Sequence, residues 1–310
     1  MGARHGEVDG VTLGVFVGAV VIGGANFVAV KVTVEELAPL YGATMRFGLA
    51  ALLFFAILAI SRTPLPHGAA LIGAAVYGTL GFAAAYALMY VALVELSAGV
   101  VSVLMATAPV FALALAALLR MEPLTVRGLA GGALAVVGIA VLSARSLGGE
   151  VSFRYLLAAL LAPIVVAAST IVAKRFPRTD PVATNAVGMT VGTVLLAVAS
   201  VAASESWTVP REEETWAAAA WLVVVGSVGL FWCFLFVVQR WTASASTYAL
   251  PLMPVVAVGL AAAFMDERLG AAEAIGGVLV IAGAYIGALR RGRAGDTIAP
   301  VDAAPAASER

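Results

Sequence analysis

Residues 10–30 form a stretch of 21 positions without a charged side chain, and stretches of comparable length recur along the chain. This pattern constrains the fold more than any motif does. In hydrocarbon, every backbone N–H and C=O must be satisfied inside a helix or a closed barrel, and a helix needs about 20 apolar residues to cross. The stretches are 10–30, 37–61 (interrupted by Arg46), 68–94, 96–119, 128–144, 155–173, 181–204, 215–239, 241–265 and 274–289, which predicts ten helices. Pro64, Pro66, Pro123, Gly148, Gly149, Pro177, Pro181 and Pro210 punctuate the connections. Charged residues are only 12% of the chain, against about 25% in a soluble domain. With a formal net charge of 0, nothing points to nucleic acid, and the lipid bilayer is the expected surroundings. The single cysteine, Cys233, rules out an intramolecular disulfide and reads as a small packing residue.

The chain also carries its second half inside it. Pro109, Val110 and Glu122 recur as Pro254, Val255 and Glu267, at an offset of 145 residues. Gly131 and Gly132 recur as Gly276 and Gly277, and Gly138 as Gly283. Duplicated halves in an apolar chain mark a carrier that binds cargo where the repeats meet. The expected divisions are residues 11–144 and 155–290 as repeats, joined by a linker over 145–154. Counting Lys and Arg over the connections gives twelve on the side of the N-terminus and five on the other. By the positive-inside rule both termini are cytoplasmic, with 1–10 a short cytoplasmic N-terminus and 291–310 a disordered cytoplasmic tail. Residues 10–30 read as a retained helix, not a cleaved signal. Five helices per repeat is an odd number, so the second repeat is inverted. The fold expected is an all-α membrane protein of ten transmembrane helices in two inverted five-helix repeats, in the cytoplasmic (inner) membrane.

The order of particular residues carries a resemblance. The first half has Gly24, Asn26, Phe27 and Lys31, then Pro39, then Arg46 and Phe47. Gly81, Tyr86, Tyr90 and Leu93 follow, then Ser97, Ala98 and Gly99, Pro109 and Val110, Glu122, Gly131, Gly132 and Gly138. This resembles EamA-type members of the drug/metabolite transporter superfamily over about residues 11–290. One departure is that the family often has a tryptophan where this chain has Ile22 or Gly23. The resemblance implies a ten-helix inverted-repeat carrier that exports small metabolites, amino acids among them. It also implies a central cavity lined in part by helices three, four, eight and nine.

Candidate cavity residues are Tyr77, Tyr86, Tyr90, Met105, Trp232, Tyr248 and Met253, large side chains on those helices, with packing or lipid contact as the alternative for each. Asn26 lies mid-stretch, where an unpaired amide is costly, so it is expected to face the interior, either as cavity wall or in an interhelical hydrogen bond. Its counterpart in the second half is Ser169. Arg46 is the charge well inside a span. A structural ion pair with Glu35, Glu36 or Glu95 is favoured over an anion-binding role. Glu95 is the candidate for proton coupling; otherwise the spans lack Asp, Glu and His, which favours facilitated diffusion or exchange. Glu122 and Glu267 are expected to cap the starts of the fifth and tenth helices, and Lys31 and Lys174 to snorkel. Pro109, Pro251 and Pro254 are expected to break helices four and nine and let them bend. Trp207, Trp216 and Trp241 read as interfacial anchors. Glycine pairs four apart at Gly14/Gly18, Gly128/Gly132, Gly188/Gly192 and Gly283/Gly287 allow close helix contact. His5 and His67 lie outside the spans. The sequence has no metal-ligand cluster, Walker loop, nucleophile elbow or dinucleotide fingerprint. The expectation is therefore no enzyme, no cofactor and no metal, but a carrier of a small-molecule cargo. An uptake permease or exchanger is the rival within transport, and a scaffold or membrane-embedded enzyme the rival outside it. A monomer is the default, with a dimer left open.

Overall fold

The computed structural model describes residues 9–93, 104–105, 107–123, 125–142, 153–264 and 271–289. The elements are α1 (Gly10–Glu36), α2 (Pro39–Ser61), α3 (Ala69–Gly78), the π-helix π1 (Thr79–Ala84) and α4 (Ala85–Leu93). After them come α5 (Ala108–Leu118) and α6 (Val126–Leu142). The second half has α7 (Phe153–Arg175), α8 (Pro181–Ala202), α9 (Glu213–Val223), the π-helix π2 (Val224–Gly229) and α10 (Leu230–Val238). It closes with α11 (Ala243–Thr247), α12 (Ala249–Phe264), α13 (Ala271–Ala284) and the π-helix π3 (Tyr285–Leu289). Among the described residues, five helices are long and apolar enough to cross a membrane: Pro39–Ser61, Ala69–Ala92, Tyr155–Arg175, Pro181–Ala202 and Glu213–Val238. Shorter apolar helices are Gly10–Asn26, Ala108–Leu118, Val126–Gly138 and Ile275–Gly287.

Large apolar side chains point outward as well as inward. Leu52, Ile60, Leu118, Phe153, Val198 and Val278 are exposed. An outer surface this apolar is at home in lipid, not water. The main buried cluster lies where α2 packs on π1 and α8, with Phe47, Phe54, Phe82, Met189 and Leu196 at its centre. A second cluster joins α1 to α11 and α12 through Phe16, Trp241, Tyr248 and Met253.

The two halves meet through contacts that exchange under the 145-residue offset. On α6 and α13, Gly131 lies against the Gly283 backbone and Gly138 against Gly276; a Cβ at Gly131 would sit 2.7 Å from Gly283 O, and one at Gly138 2.8 Å from Gly276 O. Each pair is the other with its partners' numbers shifted by 145. The pairing also fixes direction, because 131 meets 283 while 138 meets 276, so α6 and α13 run antiparallel. The seam exists because small residues let the backbones touch. By contrast, a Cβ at Gly14 or Gly18 would meet nothing within 4 Å, so that pair makes no close contact. The other three glycine pairs do meet neighbours closely.

Prolines behave differently from the sequence expectation. Pro109 sits at the start of α5 and Pro251 in the first turn of α12, where a helix has no N–H partner to lose. Pro254 does lie inside α12. Helical structure in that part of the chain is broken instead at Tyr248, between the short α11 and α12. Pro163 also lies inside a helix, α7, which runs on past it unbroken. Trp241 is a further correction. It is only 4% exposed and packs on Phe16 at 5.0 Å, so it is a core residue and no interfacial anchor.

Candidate functional site

Carboxylates tie the helix ends together. Asp9 accepts from the Thr12 N–H at 2.7 Å and caps α1; that bond holds its carboxyl below the ordinary range. Asp180 caps α8 through the Val182 N–H at 2.8 Å. Glu122 accepts from the Ala243 N–H at 2.5 Å and the Ser244 hydroxyl at 2.6 Å. The expected capping role is therefore present, but the helix served is α11 of the opposite half, not the fifth helix next to Glu122 in sequence. At the other end of the bundle Glu205 accepts from the Leu40 and Tyr41 N–H groups at the start of α2, at 3.1 and 2.8 Å, and from Ser200 at 2.7 Å. Glu36 accepts from the Arg211 N–H at 2.5 Å, and this bond, more than any other influence, lowers its pKa. Sequence reasoning missed Glu205, whose partners are 165 and 164 residues away.

The polar cluster of the interior forms around π2. In a π-helix the N–H reaches five residues back, which puts the carbonyl ladder out of step. Here the Leu230 N–H reaches Val225 O. The ordinary α-helical acceptor for that N–H, Gly226 O, instead accepts from Asn26 Nδ2 at 3.0 Å and Arg46 Nη2 at 2.8 Å. Arg46 Nε donates to Ser227 Oγ at 2.7 Å, and Trp221 Nε1 donates to Asn26 Oδ1 at 3.2 Å. Asn26 is 7% and Arg46 4% exposed. Thus α1, α2 and the α9–π2 helix are joined at one polar point. Glycine at 226 is required there, because a Cβ would come 2.2 Å from Asn26 Oδ1.

Two of the three expected partners of Arg46, Glu35 and Glu36, do not pair with it. Glu36 is engaged with the backbone of Arg211 and Glu212, and Glu35 is exposed. Glu95 and Glu267 lie outside the described residues. The Arg46 guanidinium instead sits beside the rings of Phe47, at 5.2 Å, and Tyr86, at 5.8 Å. Phe47 meets Tyr86 edge-on at 4.6 Å, Tyr86 reaches Tyr90 at 6.2 Å, and Tyr77 meets Phe82 at 5.4 Å. Next to this aromatic group opens a crevice lined by Thr33, Leu37, Met45, Arg46, Tyr90 and Val223. Its free interior is about the size of one water molecule.

Of the sequence candidates, then, Asn26, Arg46, Tyr86 and Tyr90 come together, with Tyr77 on the buried side of the same aromatic group. The others do not. Tyr248 is buried and donates its hydroxyl to Gly128 O at 3.0 Å. Met253 packs on Gly23, and Met105 joins a separate cluster with Tyr155. Trp232 is 37% exposed and lies beside Phe236 at 5.2 Å, on the outer surface. Ser169 turns its hydroxyl to Val166 O at 2.8 Å. It does occupy the place expected of an Asn26 counterpart. A Cβ on Gly81 of π1 would lie 3.5 Å from Ser169 Oγ, just as Gly226 of π2 faces Asn26. Moreover π1 and π2 begin at Thr79 and Val224 and end at Ala84 and Gly229, both offset by 145 residues. The halves share backbone but differ in chemistry: Pro39 and Pro181 at the starts of α2 and α8, and the left-handed Arg62 and Ser204 past their ends, are 142 residues apart, which puts Gly188 where the first half has Arg46. The missed residues of the cluster are Trp221, Gly226 and Ser227. The signal available was the recurrence of Gly81 as Gly226.

Comparison with known proteins fits this architecture. A protein of Escherichia coli strain K12 named probable amino-acid metabolite efflux pump is 30% identical over 282 residues, 86% of this chain and 91% of its own length. The uncharacterized inner membrane transporter YedA of the same bacterium is 27% identical over 265 residues, 84% of this chain and 86% of its own. A probable terminal-alkyne amino-acid exporter of Streptantibioticus cattleyicolor is 30% identical over 240 residues, 74% of this chain and 78% of its own. A solved crystal structure with 18% identity superposes with a TM-score of 0.73, over 88% of this chain and 94% of that one, which shows a shared fold. The sequence model of the EamA-like transporter family matches residues 11–144 and again 153–288, so the chain is a multi-pass membrane protein that belongs to the EamA-like transporter family.

Proposed function

We propose that this transporter exports a small organic metabolite, an amino acid or related amphiphile, by alternating access between two inverted five-helix repeats. The observation that carries the reading is the likeness to the amino-acid metabolite efflux pump over 86% of this chain and 91% of the relative. The antiparallel α6–α13 seam and the matched π1 and π2 segments support inversion of the second repeat, and hence ten crossings. Cargo binds midway between the halves, next to Arg46, Tyr86 and Tyr90, once the crevice widens. Both termini face the cytoplasm, and the carrier works as a monomer with no cofactor. An uptake permease or exchanger is the same machine under another gradient. The test is reconstitution into liposomes loaded with radiolabelled L-amino acids. Saturable efflux of at least one amino acid above protein-free liposomes is expected, and efflux equal to the control for all of them would sink the assignment. Running the same assay on Glu95→Gln with and without a pH gradient tests proton coupling. Loss of the gradient dependence supports it, and full retention removes Glu95 from the mechanism.

A further inference from the structure

We infer that the Arg46 guanidinium is a carboxylate subsite, so the cargo is an organic acid or amino acid held at this point by its carboxylate. The inference rests on the carrier reading above, and deepens it. Arg46 is 4% exposed, yet its two hydrogen-bond acceptors, Ser227 Oγ and Gly226 O, are neutral. They orient the side chain without cancelling its charge. Among the described carboxylates of that end of the bundle, Glu36 is committed to the N–H groups of Arg211 and Glu212 and Glu205 to those of Leu40 and Tyr41, while Glu35, Glu212, Glu213 and Glu214 are exposed. No counter-ion meets Arg46 among the described residues; a buried cation in that state attracts an anion strongly, and a guanidinium offers a planar fork that matches two carboxylate oxygens. Nη1 has no hydrogen-bond partner among the described residues, and Arg46 forms part of the wall of the crevice with Tyr90 and Met45. Beside the charge lie the Phe47 and Tyr86 rings, an apolar seat for the body of an amphiphile. Asn26 is occupied at both ends of its amide, by Gly226 O and by Trp221, and so positions the cluster instead of meeting cargo. A merely structural cross-link between α2 and π2 needs only a neutral donor; the charge is what the cross-link leaves unexplained. The second half has Gly188 at the equivalent position, so it offers no matching charge. With room for about one water in this conformation, it fills when the α9–π2 helix moves off α2.

The experiment is thermal unfolding of the detergent-purified full chain with two matched pairs at equal ionic strength: benzoate against benzamide, and L-phenylalanine against L-phenylalaninamide. Wild type is expected to bind each acid about tenfold or more tightly than its amide, the worth of one charge-assisted bond. Arg46→Gln is expected to lose this preference and Arg46→Lys to keep the charge but weaken it. If the glutamine variant does not fold, the wild-type comparison and the lysine variant still decide. Equal binding of acid and amide in wild type, or a preference that survives Arg46→Gln, overturns the inference. So does a preference seen in Glu95→Gln alone, which makes Glu95 the resident counter-ion. An Arg46-dependent benzoate preference with no amino-acid flux in liposomes keeps the subsite and removes the amino-acid exporter reading.

Discussion

The buried arginine is held by acceptors that can be taken away one at a time. Ser227→Ala leaves the Arg46 Nε–H without its partner at 2.7 Å. A buried donor left unpaired costs about 1–3 kcal/mol, and the expected outcome is a lower unfolding temperature with normal folded yield. No change in unfolding temperature would show that the Nε–H finds another acceptor. Glu36 gives a pH signature. Its folded pKa is depressed from an ordinary 4.5, so its contribution is present above that value and is lost as pH falls through the folded value. The difference in unfolding temperature between wild type and Glu36→Gln is therefore expected to be full at pH 7 and to shrink on acidification below about pH 4.5. A difference that stays constant from pH 7 to pH 3 contradicts this account.

Among the helices, the α6–α13 seam separates glycines that matter from glycines that merely occur. Gly138→Ala places a Cβ 2.6 Å from the Val280 backbone nitrogen. Overpacking typically costs about 1–3 kcal/mol, more than the ~1 kcal/mol that alanine gains over glycine in a helix. Gly18→Ala meets nothing within 4 Å and is expected to stabilise. Opposite signs in a thermal unfolding assay bear this out; equal signs do not. Sequence spacing could not tell these glycines apart, because a four-residue interval says which helix face is smooth and not which face meets a neighbour. The same limit explains what else was legible. Apolar stretch lengths located the five described spans, Pro39–Ser61, Ala69–Ala92, Tyr155–Arg175, Pro181–Ala202 and Glu213–Val238, to within about two residues, since hydrocarbon thickness dictates them locally, and the recurrence of Pro109, Glu122 and Gly131 exposed the duplication. The candidate cavity residues fared unevenly. Tyr86 and Tyr90 gather beside Arg46, whereas Trp232 on the same helix set turns outward, and helix number alone gives no rotation about the axis. Glu205 and Ser227 were illegible because their partners lie far away in sequence, and π2 because its glycine reads as ordinary packing.

For the molecule as a whole, orientation is the property with the sharpest external test. Cys233 is the sole native cysteine and is first replaced by alanine. Val209→Cys, exposed at the Glu36 end, is expected to react with a membrane-impermeant maleimide in intact cells. His67→Cys, exposed between α2 and α3, is expected to react only after permeabilisation. Reversed labelling would turn the molecule over and leave the fold untouched. The two halves are nonetheless not independent modules, and Glu122 shows why. Its carboxylate completes the first turn of α11, whose Ala243 lies 121 residues downstream. At a synthesis rate of ~5–20 residues per second, the carboxylate leaves the ribosome about 6–24 s before the helix that it caps. During biogenesis the first half thus waits with this carboxylate at its edge, and the newly inserted second half finds the cap for the first turn of α11 already in place.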